Sequence, residues 1–337
     1  MKGYATFWTV FLSALLAASV LLVGCDSDDP ADETGTVEGV ITAADGVTPI
    51  QGATVGLATD DAATATTSDA APRSLNTVLS PVFALQMDGP TTTTNADGEF
   101  TLEGVPEGEQ TLAAKRGAFE ATFTVNVTPG DVVATDPIGI ESVQPLGYVP
   151  GAFDSIEDVV QDLGNDDIEE ISLDDLSDPD VLSEYAIIFI NCGASSYSEE
   201  RAEALEQYVN QGGTLYVSDL EAPYIDTLFP DEIDFSSNSS PETLDAEVLS
   251  SSLEDWLQEN ELSITYDAGG WERIVDLEGD AEVLLRGQPL QLDEGDEPLA
   301  ITFNLGSGRV VYTTFHNTAG VPSEQEGVLR YYIYLDV

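Results

Sequence analysis

Three side chains in this sequence are of types that carry nucleophilic or acid–base chemistry, and each follows a predicted strand. Cys192 follows Tyr185–Asn191, Ser218 follows Thr214–Val217, and His316 follows Arg309–Phe315. The carboxyl ends of parallel strands meet at one edge of a sheet, where α/β proteins commonly bind ligands. A Ser218–His316–Asp219 grouping can therefore be drawn at such an edge. It would be a hydrolase site, with Ser218 as the nucleophile and His316 as its base.

The surroundings of these residues favour a non-catalytic role. A nucleophile on a strand-to-helix turn needs flanking glycines, whereas Ser218 is followed by Asp-Leu-Glu. Cys192 is followed by Glu199 and Glu200, which would raise its pKa and blunt a reactive thiol. His316 is the single histidine, and neither HExxH nor CxxC occurs, so we expect no metal site and no cofactor.

The elements that must position these side chains alternate between strands and helices over residues 143–337. Tyr185–Asn191 is almost continuously apolar, as in a parallel strand buried on both faces. Ser198 predicts the N-cap of a helix that ends at Gly212-Gly213. Gly306-Ser307-Gly308 between two apolar runs indicates a hairpin. We predict an α/β domain with a mostly parallel, flavodoxin-like sheet and an antiparallel part.

Two segments of this region resemble a known family. They are IIFINCGASSYSEERAEALEQYVNQGGTLYVSD, from residue 187, and GSGRVVYTTFHN, from residue 306. With a strand ending in Asn-Cys-Gly, a capped helix and Gly-Gly before the next strand, they resemble the ThuA-like branch of the class I glutamine amidotransferase-like folds. The resemblance implies the sheet of that family without its nucleophile, since neither Cys nor a flanking glycine follows Thr214–Val217.

Residues 35–142 predict an all-β domain. Short strands recur, and Asp97-Gly98 stands in a turn-forming position between two extended runs. The runs GTVEGVIT, IQGATV and TNADGEFTLEGVPEG resemble the carboxypeptidase regulatory-like domain. That resemblance implies a transthyretin-like sandwich without catalytic residues and, by analogy alone, carbohydrate binding. We interpret 62–92 as an inserted surface loop, and Asn95, Asp97 and Glu99 as a hairpin turn rather than a calcium loop.

The first residues have the pattern of an export signal. Residues 1–24 combine Lys2, a long apolar stretch and no acidic residue, which is typical of a secretory signal peptide. Leu22-Val23-Gly24-Cys25 resembles the bacterial lipobox, which implies that Cys25 is lipidated with palmitate-type chains. Residues 25–34 then form an acidic tether. Cys192 remains as the single other cysteine, so we expect no intrachain disulfide.

The charge is extreme and spread along the whole chain. The 337 residues carry 63 Asp and Glu against 9 Lys and Arg, for a net charge of −54. No basic stripe exists, so nucleic acid is excluded as a partner. Hydrophobic residues still make up 42%, enough for folded domains. Carboxylate excess with few lysines is typical of proteins that work in concentrated salt. There, dissolved ions screen the charges within a few ångströms and so weaken the repulsion between carboxylates.

Together these features predict a two-domain lipoprotein of the cell envelope from a salt-adapted bacterium. It would be held at the outer membrane or cell surface through Cys25, with the all-β sandwich at 35–142 and the α/β domain at 143–337. We expect a binding or scaffolding protein for a glycan or an envelope protein. The alternative is a hydrolase of a small molecule or glycan at the Ser218 and His316 sheet edge.

Overall fold

The structure, a computed structural model, describes residues 34–59, 86–230, 232–290, 292, 295–317 and 323–335. The predicted signal peptide, Cys25, the tether up to residue 33 and residues 62–85 of the predicted insertion lie outside the described residues. These described residues all belong to one compact unit. Within the described ranges, no helix combines the length and hydropathy needed to cross a bilayer.

The first sheet takes up the described residues before Gln144. Its strands are β1 (Thr34–Ala43), β2 (Thr54–Ala58), β3 (Met87–Thr93), β4 (Glu99–Pro106), β5 (Gly108–Arg116), β6 (Phe119–Val127), β7 (Val132–Ala134) and β8 (Ile138–Ser142). They pair in the order β3-β2-β5-β6-β8-β1-β4, with β7 beside β1. Alternation sets the faces, since Phe100 and Leu102 of β4 are buried between exposed neighbours. The predicted insertion ends earlier than expected, because Met87 already begins β3.

The predicted two-sheet sandwich is wrong. The early part of β1 pairs with β4 and β7, and its last residues, Ile41–Ala43, pair with β8, so the strands join into one continuous sheet. One of the two large sheets is nearly barrel-shaped. In the first sheet, a turn at Asp97-Gly98 connects the two end strands, β3 and β4. Alternating polarity indicates half-buried strands, but it does not say which strands share a sheet.

The second sheet follows from Leu146 onward. Its strands are β9 (Leu146–Val149), β10 (Glu169–Glu170), β11 (Ile187–Ile190), β12 (Thr214–Ser218), β14 (Glu242–Val248), β15 (Glu261–Tyr266), β17 (Glu282–Gly287), β18 (Glu297–Leu305) and β19 (Gly308–Thr313), while β13 (Ile233–Ser236) and β16 (Arg273–Leu277) form a separate pair. The helices are α1 (Ile156–Asp162), α2 (Pro179–Leu182), α3 (Glu199–Asn210), α4 (Ala222–Leu228), α5 (Ser251–Leu257) and α6 (Ser323–Ile333), with 3₁₀ turns at Asp175–Ser177 and Asp219–Glu221.

The predicted flavodoxin-like, mostly parallel sheet is also wrong. The order is β10-β9-β11-β12-β19-β18-β17-β14-β15, in which the four pairings up to β19 are parallel and the four beyond it are antiparallel. Strands account for 43% of the described residues and helices for 20%. A parallel pairing needs a long crossover, whereas β18 and β19 are joined by a tight turn at Gly306.

Several local predictions are confirmed. Ser198 caps α3, its side chain accepting a hydrogen bond from the Arg201 N–H, and Gly212, with φ of 112°, follows the helix. All four residues of β11 are buried, as expected for a strand covered on both faces. Asn95 closes the turn between β3 and β4 by accepting hydrogen bonds from the N–H groups of Asp97 and Glu99, so this group is a turn.

One apolar core runs through both sheets. Phe119 of β6 is fully buried, and its ring centroid lies 4.5 Å from that of Tyr334, next to α6. The Asp45 N–H, after β1, donates to the Leu163 carbonyl, after α1. The division that the sequence suggests, between residues 142 and 143, falls at the end of β8, the last strand of the first sheet, and before β9, the first strand of the second.

Candidate functional site

The candidate site lies at the carboxyl edge of the parallel half of the second sheet. The strands β9, β11, β12 and β19 are parallel neighbours, so their carboxyl ends meet there. Each supplies one or more polar residues at or beyond its end: Asp154 after β9, Cys192 after β11, Ser218 and Asp219 at the end of β12, and His316 after β19. This is the edge at which α/β sheets bind ligands.

Cys192, Asp219 and His316 converge on one point. The His316 Nε2 atom lies 2.6 Å from Asp219 Oδ2 and 3.2 Å from Cys192 Sγ. The thiol also lies 3.5 Å from Asp219 Oδ2. Cys192 and Asp219 are at most 1% exposed, and the His316 side chain is 11% exposed. The thiol, the carboxylate and the imidazole thus lie together at a position that is almost closed to solvent.

Asp154 holds the surrounding strand ends together. Its carboxylate accepts hydrogen bonds from the Ser218 hydroxyl, from the Cys192 N–H at 2.8 Å and from the Asn317 N–H. Asp154 is 4% exposed, and burial raises its pKa although these three hydrogen bonds act to lower it. Its contacts are with groups that frame the site, so Asp154 positions the site residues.

The backbone turns sharply at Asp219. Its φ is +42°, a region that residues with a side chain rarely adopt. The turn connects β12 to a 3₁₀ turn and then to α4. The Glu272 N–H donates to Asp219 Oδ1 at 2.6 Å, which leaves Oδ2 directed at His316. Strain of this kind is often found at functional sites.

The site is electrostatically dominated by carboxylates. Burial raises the pKa of the Cys192 thiol far above its ordinary value, and the charges of Asp219 and Asp154 raise it further. The sequence suggested Glu199 and Glu200 as the cause; the structure gives the same direction through burial and these other carboxylates. The thiol of Cys192 is therefore held neutral.

The pKa of His316 is also raised, although burial by itself would lower it. The hydrogen bond and charge of Asp219 act to raise it, and so do the charges of Asp154 and Asp267. Together these carboxylates outweigh burial, so the protonated imidazole is stabilised beside Asp219.

A third buried carboxylate lies next to this cluster. Glu221 is 2% exposed and accepts hydrogen bonds from the N–H groups of Ser195, at 2.8 Å, and Ser196. Burial raises its pKa, while these hydrogen bonds act to lower it. Glu221 ties the loop after β11 to the turn after β12.

A small pocket opens onto the cluster, and we call it the edge pocket. Its volume is about 40 Å³, and it is lined by Phe153, Asp219, Leu220, Ala268, Gly269, Gly270, Trp271 and His316. Phe153 is 45% exposed and stacks on His316 with ring centroids 5.8 Å apart. Trp271 is 2% exposed and stacks on Tyr266 at 3.8 Å, so it serves both core and pocket. Glycines and aromatic side chains thus form the surface of the pocket next to Asp219 and His316.

The structure brings two of the three sequence candidates together. Cys192 and His316 are neighbours, whereas the hydrogen bonds of Ser218 run to Asp154 and to the Ile190 carbonyl. Sequence reasoning missed Asp154. The available signal was its position just after the strand Leu146–Val149, at the same sheet edge as the other candidates.

Comparison with known proteins shows similarity of structure alone. No family model and no curated protein matches the chain. A ThuA-like protein from Bacteroides uniformis is 18% identical with a TM-score of 0.42, over 56% of this chain and 88% of that one. A GMP synthase-like protein from Thermoplasma acidophilum is 14% identical with a TM-score of 0.44, over 57% and 94%. A β-galactosidase from Bacillus circulans is 13% identical with a TM-score of 0.38, over 56% and 30%. The structural neighbours of this chain thus include glutamine amidotransferase-like proteins, at low identity and partial coverage.

Proposed function

We propose that this chain is an envelope lipoprotein of a salt-adapted bacterium that binds a glycan at the edge pocket without transforming it. The observation that carries the proposal is the position of the His316 Nε2 atom, which faces both Asp219 and Cys192. A thiol relay needs the nucleophile and the orienting carboxylate on opposite nitrogens of the imidazole. Here one nitrogen, which carries at most one proton, serves both.

A relay would also need a carboxylate hydrogen-bonded to the second ring nitrogen of His316, Nδ1, and the nearby Asp267 does not provide it. Nδ1 lies 3.6 Å from Asp267 Oδ1, beyond a normal hydrogen bond, and the Asp267 side chain is 78% exposed. The raised pKa of the Cys192 thiol also opposes thiolate formation. Ser218 is fully buried and already donates to Asp154, so it is not placed to attack a substrate. These features support binding over acyl transfer.

The pocket's chemistry suits a sugar. Phe153 offers nearly half of its surface to solvent, and the apolar face of a sugar ring packs well on an aromatic ring. Asp267, whose carboxylate lies 3.6 Å from His316 Nδ1, is an exposed acceptor for sugar hydroxyl groups. The pocket itself has room for one substituent of a ring rather than a whole ring. We therefore infer that a glycan stacks on Phe153 and projects one polar group inward.

A glycan array probed with the full chain in molar NaCl tests this proposal. Phe153→Ala should weaken binding of the best hit at least tenfold, equivalent to about 1.4 kcal/mol. Leu249→Ala is the matched control, because Leu249 has the same exposed fraction of 45% and does not line the pocket. An array without hits, or equal losses in the two variants, would refute glycan binding here.

The lipid anchor is tested separately. Cys25→Ser in a bacterial host should abolish palmitate labelling of the chain and move it from the membrane to the soluble fraction, because the acylated residue is lost. Cys192→Ser is the control and should leave both readouts unchanged. Membrane retention of the Cys25→Ser protein would contradict the lipoprotein assignment.

The backbone of Asp219 favours a second candidate, a hydrolase with a carboxylate nucleophile. A positive φ directly after β12, at a strand-to-helix turn, is the geometry that exposes a nucleophile in other α/β enzymes. Asp219 would attack the substrate carbon and displace the leaving alcohol, and His316, in its neutral form, would take a proton from the water that then releases the acyl or glycosyl group. Chromogenic ester and glycoside panels test it: turnover abolished by Asp219→Asn supports this candidate, and no turnover by the unmodified chain overturns it.

A further inference from the structure

We propose that Cys192, Asp219 and His316 bind a divalent transition-metal ion of the zinc type, with the edge pocket supplying its remaining coordination position. This inference rests on the proposed function and deepens it, since the metal would be the group that a bound ligand meets at the bottom of the pocket.

The three ligand atoms already lie close to the spacing of a metal site. Sγ, Oδ2 and Nε2 all lie within 4.8 Å of one another. Around a tetrahedral zinc ion with ligand distances of about 2.0–2.3 Å, ligand atoms are about 3.3–3.5 Å apart. The thiol–carboxylate distance of 3.5 Å matches, and the distances of 3.2 and 2.6 Å to Nε2 are shorter. An outward swing of the imidazole into the bordering pocket would lengthen both.

The donor set selects the class of metal. A thiolate and an imidazole are ligands for zinc and related transition metals, whereas magnesium and calcium prefer oxygen alone. Catalytic-type zinc sites use three protein ligands and leave a fourth position to water or substrate. The edge pocket adjoins Asp219 and His316 and, at about 40 Å³, has room for a water molecule or one ligand group.

The groups around the three proposed ligands resemble those that orient the ligands of known metal sites. Asp219 uses Oδ1 to accept the Glu272 N–H, which leaves Oδ2 free to coordinate. The Leu220 N–H donates to the Cys192 sulfur. The exposed carboxylate of Asp267 lies 3.6 Å from Nδ1 of His316, and only a small shift would bring it to hydrogen-bond distance, where a carboxylate orients a metal-bound imidazole.

The charge of the site is compatible with a divalent cation. Asp154, Asp219 and Glu221 are each at most 4% exposed. Within the described ranges, the ion pair of this group is with His316, and no Lys or Arg pairs with it. Buried carboxylates are normally paired or bound to metal, and a divalent ion that replaces the protons of the Cys192 thiol and the His316 imidazole would leave the net charge of the site unchanged.

Cobalt titration of the full chain tests the proposal. The Cys25→Ser background, in molar NaCl, leaves Cys192 as the one thiol, since the chain has two cysteines. One equivalent of Co²⁺ should produce thiolate-to-cobalt charge transfer and the visible bands of tetrahedral cobalt, and Zn²⁺ should displace both. Cys192→Ser should abolish the charge-transfer band. His316→Gln and Asp219→Asn should weaken affinity more than about 100-fold, and Asp267→Asn about tenfold.

Asp97→Asn is the control, because Asp97 is an exposed carboxylate in the β3–β4 turn. It should leave the titration unchanged. X-ray absorption of the zinc-loaded chain should show one sulfur at about 2.3 Å, which keeps the test valid if a variant misfolds. Absence of charge transfer together with an all-oxygen shell would overturn the metal site.

Repeating the glycan titration with and without Zn²⁺ separates the two proposals. Metal binding without glycan binding would leave the metal site standing and refute the proposed function. Glycan binding that is unchanged when zinc is removed would refute the metal's role in the ligand site and leave the proposed function standing.

Discussion

Asp154 accepts hydrogen bonds from three partners that arrive from three different strand ends, those of β11, β12 and β19. Because a carboxylate offers acceptor sites and no donor, it matches the N–H and O–H groups that these ends present. At the scale of single residues, the edge is therefore ordered by one buried acceptor. A sequence pattern does not mark such a residue, since its partners lie between 38 and 163 positions away.

Asp45 gives a residue-scale prediction for stability. It accepts hydrogen bonds from the Val47 N–H, the Thr48 N–H and the Thr48 hydroxyl. Burial alone would raise its pKa, but these hydrogen bonds outweigh burial and lower it. A lowered pKa contributes stability above the unfolded pKa of about 3.9, and the contribution is lost as the pH falls through the folded value.

Asp45→Ala should accordingly lower the free energy of unfolding by about 1–2 kcal/mol at pH 7. Urea melts in molar NaCl measure this, and the difference from the unmodified chain should shrink below about pH 4. Glu103→Ala, at an exposed position of β4, should cost less than about 0.5 kcal/mol. An equal loss in both variants at pH 7 would contradict the assigned role.

Glu242 gives the opposite sign. It is 9% exposed; burial raises its pKa, although the Leu290 N–H and the charge of Arg273 act to lower it. A raised carboxyl pKa means that the ionised group costs stability above the unfolded pKa of about 4.3. Glu242→Gln should therefore be more stable than the unmodified chain at pH 7, and the advantage should vanish below about pH 4. Urea melts at pH 4 and 7 check this, and a less stable variant at pH 7 would refute it.

At the scale of elements, strand β6 and the end of helix α6 hold the two sheets together. Phe119 on β6 is fully buried against Tyr334, whereas Phe123, four residues along the same strand, is partly buried. Strand β6 therefore carries one phenylalanine inside the shared core and one at its margin. Comparing the stability of their alanine variants measures how much the contact between the sheets contributes.

Phe119→Ala should lower the free energy of unfolding by about 3–5 kcal/mol, because it leaves a cavity in the shared core. Phe123→Ala is the matched control and should cost clearly less, since its side chain is partly open to solvent. Both are read from denaturant melts in molar NaCl. A cost for Phe119→Ala no larger than that for Phe123→Ala would contradict the shared core.

The whole molecule is governed by its charge of −54. Basic partners are few: Arg273 pairs with Glu297 and Arg330 with Glu326 in the described part of the chain. Most carboxylates therefore repel one another, and we expect the fold to depend on dissolved salt to screen them. At about 1 M salt the screening length is about 3 Å, against about 10 Å at 0.1 M.

The melting temperature should consequently rise steeply between 0.1 and 2 M NaCl, with loosening below about 0.5 M. Circular-dichroism melts across this range measure the effect. Sucrose at equal osmolality is the control, because it favours the compact state without screening charge. A melting temperature that is independent of NaCl, or equally raised by sucrose, would contradict the screening account.

The sequence by itself determined the local features: buried strand β11, the Ser198 cap, the turn at Asp97-Gly98 and the β18–β19 hairpin. Each of these features depends on residues that are close together in the sequence, so the spacing of residue types indicates it. It also predicted that Ser218, Asp219 and His316 lie near one sheet edge, because parallel strand ends meet there. It was wrong about the sheets, since alternation does not specify strand partners.

Only the tertiary structure decided the chemistry of the site. Local spacings such as HExxH do not reveal Cys192, Asp219 and His316, because these residues come from three strand ends 27 to 124 residues apart. Whether His316 meets Ser218 or Asp219 depends on a difference of one residue at the turn after β12. Backbone geometry at that turn, including the positive φ of Asp219, sets which of the two side chains faces His316.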